Sequence, residues 1–228
     1  MGMEDSAWWV DHARRELHHG GRVFPCDRDV EALAVWQGHA LLLSSDTDCL
    51  SLWDEEGLVR LASVGVYPQD MAVMDTLAIV CGGADCRLHL LDLPSLSCHG
   101  EIHLPGMAER IALQDDIACI LALLTEPEVH TQLILASLPA GKPHSLLTLP
   151  GIPGAIAADG DGLWLGVSGQ VLHLPRGTTQ PDMIIKGFEM PVKIDVLPHG
   201  VIITDALRER PIWLRRMSGN EKGALTLR

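Results

Sequence analysis

The chain has 228 residues, and 30 acidic against 17 basic side chains give a formal net charge of −13 at pH 7. This length suffices for a sizeable core, and 47% hydrophobic with 21% charged residues argues against long disordered regions. The negative charge disfavours partners such as nucleic acid or an anionic membrane surface. No apolar run approaches the ~18 residues that a membrane helix needs.

The N-terminal segment, residues 1–24, is compatible with two local structures. In the first, residues 6–19 form a short helix. The residues that would cap it, form its apolar stripe and end it are Ser6, Trp9, Ala13, Leu17 and Gly20. In the second, residues 14–24 form a clasp strand that completes the last unit of the fold. The pattern favours the helix followed by an edge strand.

The remainder of the chain, from about residue 25, contains a repeat of about forty residues. Each unit opens with a short apolar strand, and the five openings are VEALAV (30–35), PQDMAV (68–73), AERIAL (108–113), PGAIAA (153–158) and PVKIDV (191–196). Equivalent positions lie 38, 40, 45 and 38 residues apart. This spacing is what a four-stranded propeller blade with its turns requires.

Three further strands follow each opening in the same order. The second is almost wholly apolar, as in HALLLSS (39–45), the third alternates, as in RLHLLDL (87–93), and the fourth is more polar, as in HGEIHLP (99–105). This order favours a propeller over a β-sandwich. We therefore predict an all-β, five-bladed β-propeller of four-stranded blades at about residues 25–67, 68–107, 108–152, 153–190 and 191–228.

The units resemble the YVTN-type bacterial β-propeller repeats, with a WD-like feature at Leu52-Trp53-Asp54. The best matching stretches are GVYPQDMAV (65–73), TLAIVCGG (76–83) and RLHLLDLPSL (87–96). The resemblance fades over the last three units, no unit contains Tyr-Val-Thr-Asn itself, and the family usually has about seven blades. It implies a propeller. Because members of the family range from binding modules to a few enzymes, it implies no single activity.

Charged residues recur where the first strands open, and first strands line the channel of a propeller. The candidate ligand-binding residues at this channel mouth are Glu31, Asp70, Arg110, Lys193 and Asp195. Such a mixture of charges suits a small anionic or zwitterionic ligand. The alternative is that these charges only pair with one another and with water in a narrow funnel.

Trp8 and Trp9 lie side by side in the N-terminal segment. Large aromatic side chains near a chain terminus either pack the segment onto the rest of the fold or form a surface for a partner or a second copy. Both interpretations stay open for these residues, and the protein is expected to be a monomer or a homodimer.

Cysteine, histidine and serine patterns point to no catalytic or metal chemistry. Six cysteines without a CxxC pair are too dilute for a disulfide framework. The spacing of Cys81 and Cys86 in CGGADC would permit a metal, but the second pair of ligands that zinc needs is missing. HExxH and GxSxG are absent, so we expect no metal and no cofactor. Reduced thiols and an acidic start without a secretory signal predict a cytoplasmic protein.

The sequence therefore favours a non-catalytic propeller that serves as a scaffold for binding a protein or a small ligand. The alternative is a small-molecule hydrolase, lactonase- or glycosidase-like, with Asp70 and Asp195 as a pair of carboxylates at the channel mouth. One Tyr, two Phe and six Trp offer few aromatic platforms for a sugar, which weakens this alternative.

Overall fold

A computed structural model describes residues 7–26, 28–208, 210–216 and 225–227. Throughout these residues the regular structure is β-strand, arranged in six sheets that follow one another along the chain. The N-terminal sheet has three strands, β1 (Trp9–Asp11), β2 (Glu16–His19) and β3 (Arg22–Pro25). The described residues include no helix of the length and apolarity that spanning a membrane would take.

The other five sheets have four strands each, which pair in chain order. The second sheet contains β4 (Ala32–Trp36), β5 (His39–Ser44), β6 (Cys49–Asp54) and β7 (Gly57–Ser63). The third contains β8 (Asp70–Met74), β9 (Leu77–Cys81), β10 (Arg87–Asp92) and β11 (Ser97–His103). The fourth contains β12 (Met107–Gln114), β13 (Ile117–Leu124), β14 (His130–Ser137) and β15 (His144–Pro150). The fifth contains β16 (Pro153–Ala158), β17 (Gly162–Val167), β18 (Gln170–Pro175) and β19 (Met183–Lys186). The sixth contains β20 (Pro191–Leu197), β21 (Gly200–Asp205), β22 (Ile212–Arg216) and β23 (Leu225–Leu227).

The predicted order of four strands in each repeat is confirmed, because every unit forms one four-stranded sheet. The number of blades is not confirmed. The N-terminal residues add a sixth sheet, which the count of five did not include. The fourth strand of the last sheet is β23, so the clasp predicted over residues 14–24 does not complete that sheet.

The helix predicted over residues 6–19 is wrong for residues 7–19, which contain β1 and β2. Ser6, its expected cap, lies outside the described residues. The apolar side chains follow a period of two, since Val10 pairs with Leu17 while Trp9 pairs with His18 on the opposite face. Gly20, expected to end the helix, instead begins a two-glycine hairpin turn with positive φ angles of 56° and 75°.

Burial confirms the expected gradient from buried second strands to more exposed fourth strands. Every residue of β9 and of β17 is buried, whereas four consecutive residues of β7 are exposed. Three fourth strands also contain one extra residue that shifts the pairing register, namely Val59, His99 and Leu146. Such bulges twist an outer edge and make it a poorer template for unwanted strand pairing.

The chain divides into two compact units, residues 1–109 with 139–141 and residues 110–138 with 142–228. In the first unit, the N-terminal sheet packs on the second sheet through a cluster of Trp8, Leu17, Cys26, Val30, Ala40 and Leu42. In the second unit, the fourth and fifth sheets share one apolar cluster, and the fifth and sixth share another. Face-to-face burial of this kind is the main source of stability for β-sheets.

A substitution at Leu17 tests how much the N-terminal sheet contributes to the stability of the first unit, because the side chain of Leu17 is completely buried there. Leu17→Ala is expected to lower the free energy of unfolding by about 2–5 kcal/mol, since it leaves a cavity in the core. Urea denaturation followed by tryptophan fluorescence measures this quantity. The matched control is Val23→Ala in β3, whose side chain is 51% exposed and whose loss is expected to cost less than about 0.5 kcal/mol. Equal effects of the two substitutions would contradict the packing described.

Candidate interaction surface

The three strands of the N-terminal sheet, β1, β2 and β3, correspond to the second, third and fourth strands of the repeat. In the second sheet, the carbonyl of Asp48 between β5 and β6 accepts a 2.8 Å hydrogen bond from the N–H of Val64 after β7. In the N-terminal sheet, the carbonyl of Arg15 between β1 and β2 accepts one of 2.7 Å from the N–H of Cys26 after β3. The same bond joins Cys86 to Leu104 and Gly169 to Gly187. By this equivalence, the described part of the N-terminal sheet contains no counterpart of a first strand.

Trp8 fixes this sheet to the second sheet. Its side chain is buried, and the indole Nε1 donates a 2.7 Å hydrogen bond to the carbonyl of Gly38, in the turn between β4 and β5. The indole also stacks on the ring of His19, with centroids 4.1 Å apart. Trp36 makes the equivalent tie to the next sheet through a 2.6 Å hydrogen bond to the carbonyl of Asp75.

Trp9 lies on the opposite face of β1, and half of its surface is exposed. Its indole stacks almost parallel on the imidazole of His18, its cross-strand partner, with ring centroids 3.8 Å apart. Stacking against a neighbouring strand limits the rotamers of an exposed aromatic side chain. The exposed indole is therefore a large apolar surface with little side-chain entropy to lose when it is covered.

A cavity of about 180 Å³ lies between β1 and the start of β4. We call it the N-terminal cavity, and its lining consists of Trp8, Trp9, Val10, His12, Val30, Glu31, Ala32 and Leu33. Six of these eight residues are apolar, but polar atoms make up about half of the surface that they expose to the cavity. The carboxylate of Glu31, which accepts a 2.5 Å hydrogen bond from the hydroxyl of Ser45, adds one negative charge.

The structure therefore brings together residues that the sequence assigned to two different sites. Glu31 was predicted at a channel mouth, and Trp8 and Trp9 at a partner surface, but all three line the N-terminal cavity. Sequence reasoning missed Val10 and His12 because the segment was expected to be helical. The alternating apolar residues before the two glycines were the available signal for a hairpin.

The other candidate ligand-binding residues each have local partners. Asp70 accepts a 2.8 Å hydrogen bond from the backbone N–H of Met71. Arg110 donates from Nε to the carbonyl of Gly154 at 2.9 Å, which ties β12 to β16. The Nζ of Lys193 lies 3.0 Å from Oδ1 of Asp195, so these two form a surface ion pair. That these residues share a binding site stays a prediction.

Two histidines, the half-buried His89 and the buried His173, each contact carboxylates. His89 lies with Nε2 2.7 Å from Oδ2 of Asp85 and Nδ1 3.4 Å from Oε1 of Glu101. His173 lies with Nδ1 2.8 Å from Oδ1 of Asp182. Because Asp85 belongs to the turn between β9 and β10, the first of these contacts holds a turn onto its own sheet.

Cys119 and Asp205 have shifted pKa values, and neither shift indicates catalysis. Burial raises the pKa of the Cys119 thiol to about 12, which keeps it protonated and unreactive at neutral pH. Burial alone would raise the pKa of Asp205 as well. Three backbone N–H groups that donate to its carboxylate, with Arg208 nearby, outweigh burial and lower this pKa.

Asp11, Glu16 and His18 form a group of possible metal ligands on the outer face of the β1–β2 hairpin. One donor atom of each lies within 4.8 Å of the others, and Nε2 of His18 is 3.2 Å from Oε2 of Glu16. Carboxylate oxygens and an imidazole nitrogen are donors that divalent cations such as zinc accept. The main-chain N–H of Arg14 already donates to Asp11 at 3.0 Å. The expected absence of a metal stays a prediction.

The fold defined by these sheets is that of a β-propeller, as comparison with solved structures shows. No family model matches the sequence, and no curated protein matches it significantly.

Three solved structures illustrate the similarity. The β-propeller domain of Myceliophteria thermophila Cps50 (Swd1) is 14% identical, with 87% of this chain and 70% of that chain covered and a TM-score of 0.64. U3-55K is 14% identical, with 87% and 69% covered and a TM-score of 0.67. KlHsv2 with loop 6CD replaced by a Gly-Ser linker is 11% identical, with 98% and 81% covered and a TM-score of 0.70. At such low identity the similarity concerns the fold alone.

Asp205 yields a test of the polar contacts that hold the repeat. Its buried carboxylate accepts hydrogen bonds from the N–H groups of Glu189, Met190 and Leu207, at 2.7, 3.3 and 3.1 Å. Asp205→Asn replaces one acceptor by a donor and is expected to lower the free energy of unfolding at pH 7 by about 1–3 kcal/mol.

The loss of stability caused by Asp205→Asn is expected to become smaller as the pH falls. Because the folded state lowers the pKa of Asp205, its stabilisation is complete above the unfolded pKa of about 3.9 and is lost as the pH falls through the folded pKa. Urea denaturation between pH 7 and pH 3 should therefore show the difference from wild type shrinking on acidification. The exposed Asp116→Asn is the matched control. A difference that grows on acidification would contradict the assignment.

Proposed function

We propose that this protein is a non-catalytic propeller module that binds a protein partner through Trp9 and the N-terminal cavity. The observation that supports the proposal most directly is the half-exposed indole of Trp9, which stacks on His18 and lines the N-terminal cavity. A tryptophan that is already ordered before binding contributes a large contact area at low entropic cost. Such residues are the usual anchors of protein–protein interfaces.

Glu31, which is exposed at the cavity wall, favours a partner with a basic side chain. Asp11, on the same hairpin as Trp9, adds less, because its carboxylate already lies 3.8 Å from Nε of Arg14. The whole chain carries a formal charge of −13, so a basic partner is attracted before contact as well as at the surface.

The hydrolase alternative receives less support. Of its two carboxylates, Asp195 is already paired with the exposed Lys193 at 3.0 Å.

We also propose a cytoplasmic location. All six cysteines lie within the described residues and are thiols rather than disulfides, as expected in a reducing compartment.

Replacing Trp9 by alanine tests the proposed function. The amount of protein that the immobilised chain captures from a cell lysate is expected to be about 30-fold lower for Trp9→Ala than for wild type. This factor corresponds to a loss of about 2 kcal/mol of binding free energy, which is typical of an interface anchor. Quantitative mass spectrometry measures this ratio, and thermal denaturation confirms that the variant is folded.

The matched control is Trp213→Ala, which removes another exposed indole, 38% exposed on β22 and absent from the cavity lining. It is expected to leave the captured proteins unchanged. Equal capture by Trp9→Ala and wild type, or an equal loss with Trp213→Ala, would contradict the proposed surface.

A further inference from the structure

The edge of β1 that faces away from β2 has no paired strand among the described residues. In the second sheet, β5 lies between β4 and β6, and in every other four-stranded sheet the second strand is likewise paired on both sides. β1 corresponds to a second strand, yet it pairs only with β2, at Trp9↔His18, Val10↔Leu17 and Asp11↔Glu16. Its backbone groups on the other side are those that a first strand would bind.

The N-terminal cavity occupies the place where this first strand would lie. One of its walls is β1, and the opposite wall is the start of β4, the first strand of the second sheet. First strands of successive sheets contact each other elsewhere in the chain, as β4 does with β8. In the fifth and sixth sheets they approach so closely that a Cβ on Gly154 would come within 2.2 Å of the carbonyl oxygen of Pro191.

We propose that the N-terminal cavity binds an extended segment of a protein partner, which pairs with β1 and completes the N-terminal sheet as its first strand. This inference rests on the proposed function and specifies the chemistry of the partner. Addition of a strand to a sheet edge is an established mode of peptide recognition, in which backbone hydrogen bonds provide affinity and alternate side chains provide specificity.

The five first strands of this chain indicate which side chains such a segment needs. In four of them, adjacent positions carry a large apolar residue followed by a small one, as in Leu33-Ala34, Met71-Ala72 and Ile156-Ala157. A strand that lies between β1 and β4 meets the same kind of neighbours, because β4 itself is a first strand. The segment therefore alternates large and small residues.

The charge of the cavity adds one requirement. Glu31 lines it, and no basic side chain of the lysine or arginine type is among the lining residues. A lysine or arginine in the segment would pair with Glu31 at the partly exposed rim. The sequence of β20, Pro-Val-Lys-Ile-Asp-Val-Leu, has the large apolar residue, Ile194, and a lysine, Lys193, at the position equivalent to Ala32, but Asp195 stands where the other first strands have a small residue.

A synthetic peptide with the sequence of β20 is the probe for this inference. Binding to the full chain is measured by fluorescence anisotropy of the labelled peptide. The unmodified peptide is compared with two N-methylated versions. Each version is methylated at every second residue, and the residues methylated in one are those left unmodified in the other. Backbone N–H groups alternate between the two edges of a strand, so strand addition predicts that one version loses affinity at least tenfold while the other changes little.

Three outcomes would overturn the inference. If both N-methylated peptides bind like the parent, side chains alone are recognised, and the proposed function stands without strand addition. If the peptide fails to bind at about 1 mM, a concentration that detects very weak complexes, the cavity is not a strand site. If the peptide binds only after residues 1–6 are deleted, the site belongs to this chain's own N-terminus rather than to a partner.

Inverting the charge of Glu31 tests whether the peptide binds in the N-terminal cavity. Glu31→Lys is expected to weaken binding of the lysine-containing peptide about tenfold, because it places a positive charge in the cavity wall. The matched control is Glu56→Lys, an exposed residue in the turn between β6 and β7 that does not line the cavity. It is expected to change binding less than about twofold. Equal weakening by the two variants would show that the peptide binds elsewhere and would contradict the inference.

Discussion

Each residue of a β-strand other than proline has an N–H and a C=O group that must be paired with another strand or solvated, and this requirement organises the protein. The five four-stranded sheets meet it for their second strands, which are the most deeply buried, by placing a strand on each side. Their fourth strands are more exposed, and three of them contain bulges that limit further pairing. The N-terminal sheet differs, because the described residues leave β1 with one neighbour.

The N-terminal sheet combines a stable attachment with an incomplete edge. Trp8 and Leu17 hold it against the second sheet through buried apolar contacts and the indole hydrogen bond to Gly38. On the other face Trp9 is half exposed, and within the described part of the chain the outer edge of β1 has no paired strand. The same hairpin thus provides a rigid support and an exposed anchor, and these are the features on which the proposed protein-binding function depends.

The repeated strands were predictable because apolar alternation and a spacing of about forty residues are properties of the sequence itself. The N-terminal hairpin was not, because Trp9, Ala13 and Leu17 also fit a helical period, and strand pairing decided between the two periods. The cavity could not be predicted either. Glu31 and Trp9 are separated by 22 positions, and only the return of the chain from β3 to β4 brings them together.

The central claim is that the N-terminal sheet corresponds to a repeat unit whose second strand, β1, has no strand on its outer edge among the residues that the structure describes. Residue-resolved amide hydrogen exchange tests it directly, by comparing Trp9–Asp11 with the equivalent strand β5, His39–Ser44. We expect at least one amide of β1 to exchange about a hundred times faster than the central amides of β5, because it has no acceptor. Uniform protection of β1 at the level of β5 would contradict the account.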